Sequence, residues 1–194
     1  MTVIIISKDE TGVVMAADTQ RIDNKYMVCG NDNKKIICLD EETDFYFGHS
    51  GTASFKDLIP NLFEHLKPYE ENIDDTHYNY LITTFVPVLK EELKTRQYIK
   101  RDENNHFDEM GGNAFLFALG GEMFLLGDDF DLGKLNNYFA IGTGAPYAMG
   151  VMKHYEINNK NINTTYILRK AINVACELDC ACGGEPNIVK CYKD

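Results

Sequence analysis

Nothing in the sequence approaches the ~18–20 consecutive apolar residues that a membrane-spanning helix needs. The start also lacks the charged n-region, apolar h-region and small-residue cleavage pattern of a secretory signal. The expected location is therefore the cytoplasm. Positive charge is scarce: 19 Lys and Arg stand against 30 Asp and Glu, a formal charge of −11. That balance argues against a nucleic-acid surface or an anionic membrane as partner. There is no internal repeat, no low-complexity tract and no linker that would divide the chain. One domain over residues 1–194 is expected, since a chain of this length can bury a sizeable single core.

Six cysteines are present, at 29, 38, 176, 180, 182 and 191. Without an export signal they read as reduced thiols rather than a disulfide frame. The C-terminal four lack the paired CxxC spacing of zinc sites and have no histidine among them, so no metal is expected there. DDFD (128–131) lacks the glycine and distal glutamate of a calcium loop and reads as a solvated turn.

The first 50 residues alternate as short strands: TVIIIS, GVVMAAD, KYMVCG, KKIICLD and DFYFGHS, broken by Gly, Asn and Asp turns. From Thr52 the period changes. Phe55, Leu58, Ile59, Leu62, Phe63 and Leu66 form one helical stripe that must end before Pro68. A second helix follows Asp74–Asp75, with Tyr78, Leu81, Ile82, Phe85, Leu89 and Leu93 inward, and Pro87 predicts a kink or break in it. RDENNHFDEMGG (101–112) reads as a mobile loop. NAFLFALG and EMFLLG form a hairpin across Gly120–Gly121, followed by the strand NYFAIG. GTGAPYAMGVMKHY starts a third helix, with Pro146 in its first turn. TTYILRKAINVACELD is a fourth, with Ile167, Ala171, Val174 and Leu178 on one side, and NIVKCY is a last strand. Helix pairs between strand blocks suit an α+β protein whose sheets stack face to face with helices outside.

Thr2 opens the first strand. Once Met1 is removed, such a threonine holds a hydroxyl nucleophile and an α-amine whose ordinary pKa of about 7.7–8.0 lets it act as a base. That chemistry further needs a cation near the hydroxyl, a carboxylate to hold the cation, and backbone N–H groups facing the oxyanion. His49 beside Ser50 offers a rival Ser–His pair, but neighbours on a strand point to opposite faces.

Through nearly its whole length the sequence resembles the proteasome β-subunit family of N-terminal-nucleophile hydrolases, including the bacterial HslV type. The resemblance rests on Thr2 at the strand start, Asp18 in AAD, Lys35 in KKIICL, GHSGTAS (48–54), AIGTGAPYA (140–148) and LDCACGG (178–184). It implies a four-layer αββα sandwich of two mainly antiparallel sheets flanked by helix pairs. It also implies roles: Thr2 as nucleophile of a threonine peptidase, Asp18 and Lys35 as its charge pair, and the Gly51 amide as oxyanion donor. Asp179 would orient the amine, with Thr143, Cys182 and Gly183 in support. Lys34 is the alternative lysine. Cys182 stands where the family has Ser or Thr, and a thiol is the weaker hydrogen-bonding group.

No cofactor is implied. The implied partners are other copies of the chain in stacked rings, an ATPase unfoldase, and a peptide or unfolded-protein substrate. A silent ring-forming relative and an amidase acting on small amides are the alternatives. A retained Met1 would tie up the Thr2 amine as an amide. On this reading no propeptide is expected, and a methionine aminopeptidase alone would complete maturation.

Overall fold

A computed structural model of the chain describes residues 2–23, 26–29, 33–66, 76–101, 108–158 and 162–192. In chain order the elements begin with strands β1 (Ile4–Asp9), β2 (Gly12–Ala17), β3 (Gln20–Asp23), β4 (Tyr26–Cys29), β5 (Ile36–Asp40) and β6 (Phe45–Ser50). Helix α1 (Phe55–Phe63) follows, then α2 (His77–Tyr80), which runs through a π-helical Leu81–Phe85 into α3 (Val86–Thr95). Strands β7 (Lys100–Arg101), β8 (Asp108–Glu109), β9 (Ala114–Leu119), β10 (Glu122–Leu126), β11 (Leu132–Leu135) and β12 (Tyr138–Ile141) precede α4 (Ala145–Asn158), α5 (Thr164–Leu178) and β13 (Asn187–Tyr192).

The strands form two larger antiparallel sheets, ordered β12-β1-β2-β13 and β11-β10-β9-β6-β5, plus the hairpins β3-β4 and β7-β8. The period of two along each strand sorts its side chains between cores. In β1 and β2, Ile5, Val14 and Ala16 pack with α4 and α5 residues such as Leu168 and Ile172. Ile4, Ile6, Val13 and Met15 instead meet Leu116, Ala118 and Met123 of the five-stranded sheet. The other face of that sheet, with Phe45, Phe47, Phe115 and Phe117, takes Phe55, Ile59, Phe85 and Leu89 from the first helical group. Thus β2 is buried along its whole length, which explains why GVVMAA carries no polar residue.

Several sequence expectations need revision. Helix α1 ends at Phe63, and the stretch 67–75, with Pro68 and Asp74–Asp75, lies outside the described residues. Of the kink or break expected at Pro87, the structure shows a π-helical stretch directly before α3 rather than a break. The proline ring crowds the carbonyl four residues back, and widening Leu81–Phe85 to π-helical turns accommodates it. On α5 the buried face is Ile167, Leu168, Ala171, Ile172 and Ala175, while Leu178 is 60% exposed. The stripe read through Val174 and Leu178 was rotated from the face that packs. Strands β3 (QRID) and β11 (LGKL) carry too few apolar residues for the sequence pattern to mark them, unlike the equally short β4 and β12. Of the loop expected at 101–112, Arg101 and Asp108–Glu109 pair as β7-β8, and 102–107 lie outside the described residues.

Among the described residues, no helix is long and apolar enough to cross a membrane. Phe117 is fully buried, with ring centroids of Phe85 at 5.3 Å, Phe45 at 6.0 Å and Phe115 at 6.1 Å. Phe117→Ala should cost ~3–5 kcal/mol in urea denaturation, whereas Ile157→Ala on the exposed side of α4 should stay within ~0.5 kcal/mol.

Candidate active site

The antiparallel register pairs Ile4 with Ala17, so the residues before β1 and after β2 lie side by side. Asp18 N–H donates to the Val3 carbonyl at 3.1 Å, extending the ladder one step past β2. The Asp18 side chain is 0% exposed. Its Oδ1 accepts from Thr2 Oγ1 at 2.9 Å, Val3 N–H at 2.9 Å and Lys35 Nζ at 2.7 Å, and its Oδ2 accepts from Gly183 N–H at 3.1 Å. A buried carboxylate is costly unless paired and hydrogen-bonded, and here an ammonium, a hydroxyl and two amides satisfy it. Thr2 and Lys35 share one oxygen, so the ammonium lies within the roughly 6 Å over which a charge alters a neighbour's acidity. Of the two candidate lysines, Lys35 reaches Asp18; Lys34 is exposed at the wall of the adjoining cleft.

The turn from β12 into α4 holds Thr2 from the other side. Gly144 N–H donates to the Thr2 carbonyl at 3.3 Å. Gly142 has φ +95°, and a Cβ there would lie 2.1 Å from that same oxygen, so only glycine fits. Thr143 in this turn hydrogen-bonds Asp179, the residue capping α5. That bond, with Ala181 N–H at 2.9 Å, holds the Asp179 carboxyl below its usual range. Cys182 Sγ donates to Asp179 Oδ2 at 3.5 Å. Burial, then the nearby Asp18 and Asp179, push the Cys182 thiol up to about 12, so it stays protonated at neutral pH. Gly183, besides binding Asp18, accepts from Thr19 and Gln20 N–H at 3.0 and 2.8 Å.

The third wall is the turn from β6 into α1. Gly51 has φ +135°, and a Cβ would lie 2.0 Å from Asn113 Oδ1. Asn113 is buried. Its Oδ1 accepts from Thr52 N–H at 2.6 Å and from His49 Nε2 at 3.0 Å, and its amide donates to the Met110 carbonyl. With the Asn113 amide so committed, the network assigns the imidazole proton to Nε2. Burial depresses the His49 pKa to about 4, and its ring lies against Phe55 and Phe115. His49 thus faces the aromatic core as a neutral donor, with no partnership to Ser50. Sequence reasoning does not find Asn113, because an asparagine after two glycines reads as a strand entry and the His49 and Thr52 that it binds lie some sixty positions away.

Thr2, Lys35, His49 and Gly51 line a cleft of about 150 Å³. Larger hollows, about 460 Å³ between α1 and α3 and about 490 Å³ on α4 and α5, contain none of these residues, so donor geometry rather than volume marks the site. DDFD closes on itself: Asp129 Oδ1 accepts from Asp131 N–H at 3.1 Å. Among the described residues, no three His, Cys, Asp or Glu side chains gather as metal ligands. Cys191, at the far end of β13, donates to the Asp44 carbonyl at 3.0 Å.

Two stacked antiparallel sheets with helices on their outer faces, and residues 2 and 3 held against Asp18, make an α+β fold that solved structures share over nearly the whole chain. The chain is similar to Thiobacillus denitrificans BPH (20% identity, all of both chains, TM-score 0.78) and to that protein in complex with epoxomicin (18%, 98% of this chain and 100% of that, 0.73). It is also similar to eukaryotic HslV from Trypanosoma brucei (18%, 97% of this chain and 98% of that, 0.66). No protein-family model and no curated protein matches the sequence.

Asn113→Ala would orphan the Thr52 and His49 donors and should destabilise the protein by about 1–3 kcal/mol in urea. His49 has a second consequence. Its folded pKa near 4 lies below the ordinary 6.5, so between those values the unfolded chain binds more protons. Stability from this residue should be complete above about pH 6.5 and lost as pH falls toward 4. Thermal melts across that window should show the loss, and His49→Gln should flatten it.

Proposed function

We propose that this chain is a threonine peptidase of the proteasome type, a single domain over residues 1–194 built as a four-layer αββα sandwich. The three separate cores support the layering, each filling one interface between successive layers. The observation that carries the catalytic reading is the convergence of Thr2 Oγ1 and Lys35 Nζ on one buried Asp18 oxygen at the wall of a cleft.

In this reading Met1, which lies outside the described residues, is removed and the Thr2 amine is freed. Thr2 Oγ1 attacks a peptide carbonyl, and the hydroxyl proton passes to the α-amine. Lys35, oriented by Asp18, favours the oxygen anion as the bond forms. The Gly51 N–H, in the turn that Asn113 fixes, faces the developing oxyanion. The ammonium then protonates the departing amine, leaving an ester on Thr2. Water activated by the same amine hydrolyses that ester, which restores the hydroxyl and releases the acid. Asp179, with Thr143 and Cys182, orients the amine, and no cofactor or metal enters the scheme.

Copies of the chain would assemble as stacked rings around an inner chamber, receiving unfolded polypeptide from an ATPase unfoldase. Tyr147 and Ile157 on α4, and Tyr166 and Leu178 on α5, are exposed apolar groups that support contacts between copies.

Intact mass should show loss of Met1, and epoxomicin, the ligand of the Thiobacillus denitrificans BPH complex, should then add once, at Thr2. Thr2→Ala should abolish peptide cleavage while assembly persists, and Lys35→Met should lower kcat/KM by ~10²–10⁴. A Met1-free protein that takes no probe and cleaves no peptide would be a silent structural homologue. Cleavage of small acyl-amides without cleavage of unfolded protein would make it an amidase.

A further inference from the structure

The cleft beside Thr2 departs from the charge of the chain that carries it. Acids outnumber bases 30 to 19 overall, yet Arg21, Lys34, Lys35 and Lys56 all line the cleft, and no carboxylate is among its described lining residues. Lys35 is held by Asp18 at 2.7 Å. Arg21 comes from β3, Lys34 from the segment entering β5, and Lys56 from the first turn of α1, so the positive field is made by the tertiary fold rather than by a basic run. Asp57, next to Lys56 in the chain, lines the separate hollow between α1 and α3 with Glu92. The acid and the base of that first turn thereby part to opposite sides. The amide dipoles at the start of α1, where Gly51, Ala53 and Lys56 face the cleft, add to the positive potential. His49 completes the wall as a neutral group.

We propose that this cleft receives an acidic side chain, so that the peptidase cleaves after glutamate or aspartate. The proposal rests on the threonine-peptidase reading above. A carbonyl placed between the Thr2 hydroxyl and the Gly51 N–H belongs to the residue whose side chain points into the cleft that both of them line. About 150 Å³ gives room for one side chain, not for a length of chain. A carboxylate there meets Lys34 and Lys56 across partly solvated space, where attraction is real but weakened by salt. An arginine or lysine would meet like charge.

The test uses Met1-free protein and a set of fluorogenic tripeptides that differ only in the residue before the scissile bond: Glu, Asp, Gln, Leu or Arg. Glu should exceed the isosteric Gln by about tenfold or more in kcat/KM, Arg should be poorest, and the Glu advantage should shrink in 0.5 M salt, at roughly 4 Å screening. The double variant Lys34→Glu/Lys56→Glu should reverse the order of Glu and Arg. Equal rates for Glu and Gln, or a preference for Leu, would overturn the proposal while leaving the nucleophile in place. If instead epoxomicin never adds and no peptide is cut, the peptidase reading itself has failed. The cleft is then read by binding alone, with Thr2→Ala protein titrated by NMR with acetylated tripeptides ending in Glu or Gln. About tenfold tighter binding of the Glu peptide supports an acid-selective cleft without catalysis, and equal binding removes the acidic ligand altogether.

Discussion

The buried carboxylate of Asp18 is the point on which the rest of the structure depends. A fully desolvated charge is tolerated only where opposite charge and hydrogen-bond donors surround it, and removing one partner of such a pair leaves the other uncompensated. The donors here come from the chain's first residues, from the segment entering β5, and from the loop before β13. One electrostatic requirement therefore gathers stretches that are far apart in sequence. It also explains why an end that would ordinarily fray is buried, with Thr2 5% exposed. The same requirement that stabilises the fold poises a hydroxyl beside an ammonium.

Around this centre the polar groups are held by two tight turns, each braced by a different core. The Gly142–Gly144 turn presses on the Thr2 carbonyl and leads into α4, whose partner α5 ends at Asp179. The Gly51 turn is fixed by Asn113, which is itself fixed by Met110 and by a histidine lodged among Phe55 and Phe115. The aromatic core between α1, α3 and the five-stranded sheet thus reaches the cleft through a neutral imidazole and one amide. A change in that core is transmitted to the turn as geometry, because close-packed interiors pass on strain rather than absorb it.

The charge pattern follows a similar logic. An acidic surface keeps copies soluble, and it makes any locally basic recess a distinctive feature in the protein's field. Basic groups from three elements surround the recess beside Thr2 while the neighbouring carboxylate of α1 turns away. Cys182, where a hydroxyl would be the stronger partner, stays a buried thiol donating to Asp179.

By itself the sequence determined the two sheets and the helical groups, because the periods of two and of 3.6 are set by which faces must leave water. The family resemblance names Thr2, Asp18, Lys35, Gly51, Thr143, Asp179, Cys182 and Gly183 together; in the structure Thr2, Lys35 and Gly183 meet Asp18, and Thr143 and Cys182 meet Asp179. Period alone does not choose between nearby faces, so the buried side of α5 lies a fraction of a turn from the stripe through Val174 and Leu178, and β3 and β11 hold too few apolar residues to stand out in the sequence. Only the tertiary structure decided that Lys35 rather than Lys34 meets Asp18, since both lysines border the cleft and the docking of the segment entering β5 brings one of the two ammonium groups to the carboxylate. Tertiary structure alone also brought Asn113 to the Gly51 turn, and Arg21 and Lys56 to the cleft. Those contacts depend on sheet pairing and helix docking, which place residues by burial and hydrogen bonding without regard to their separation along the chain.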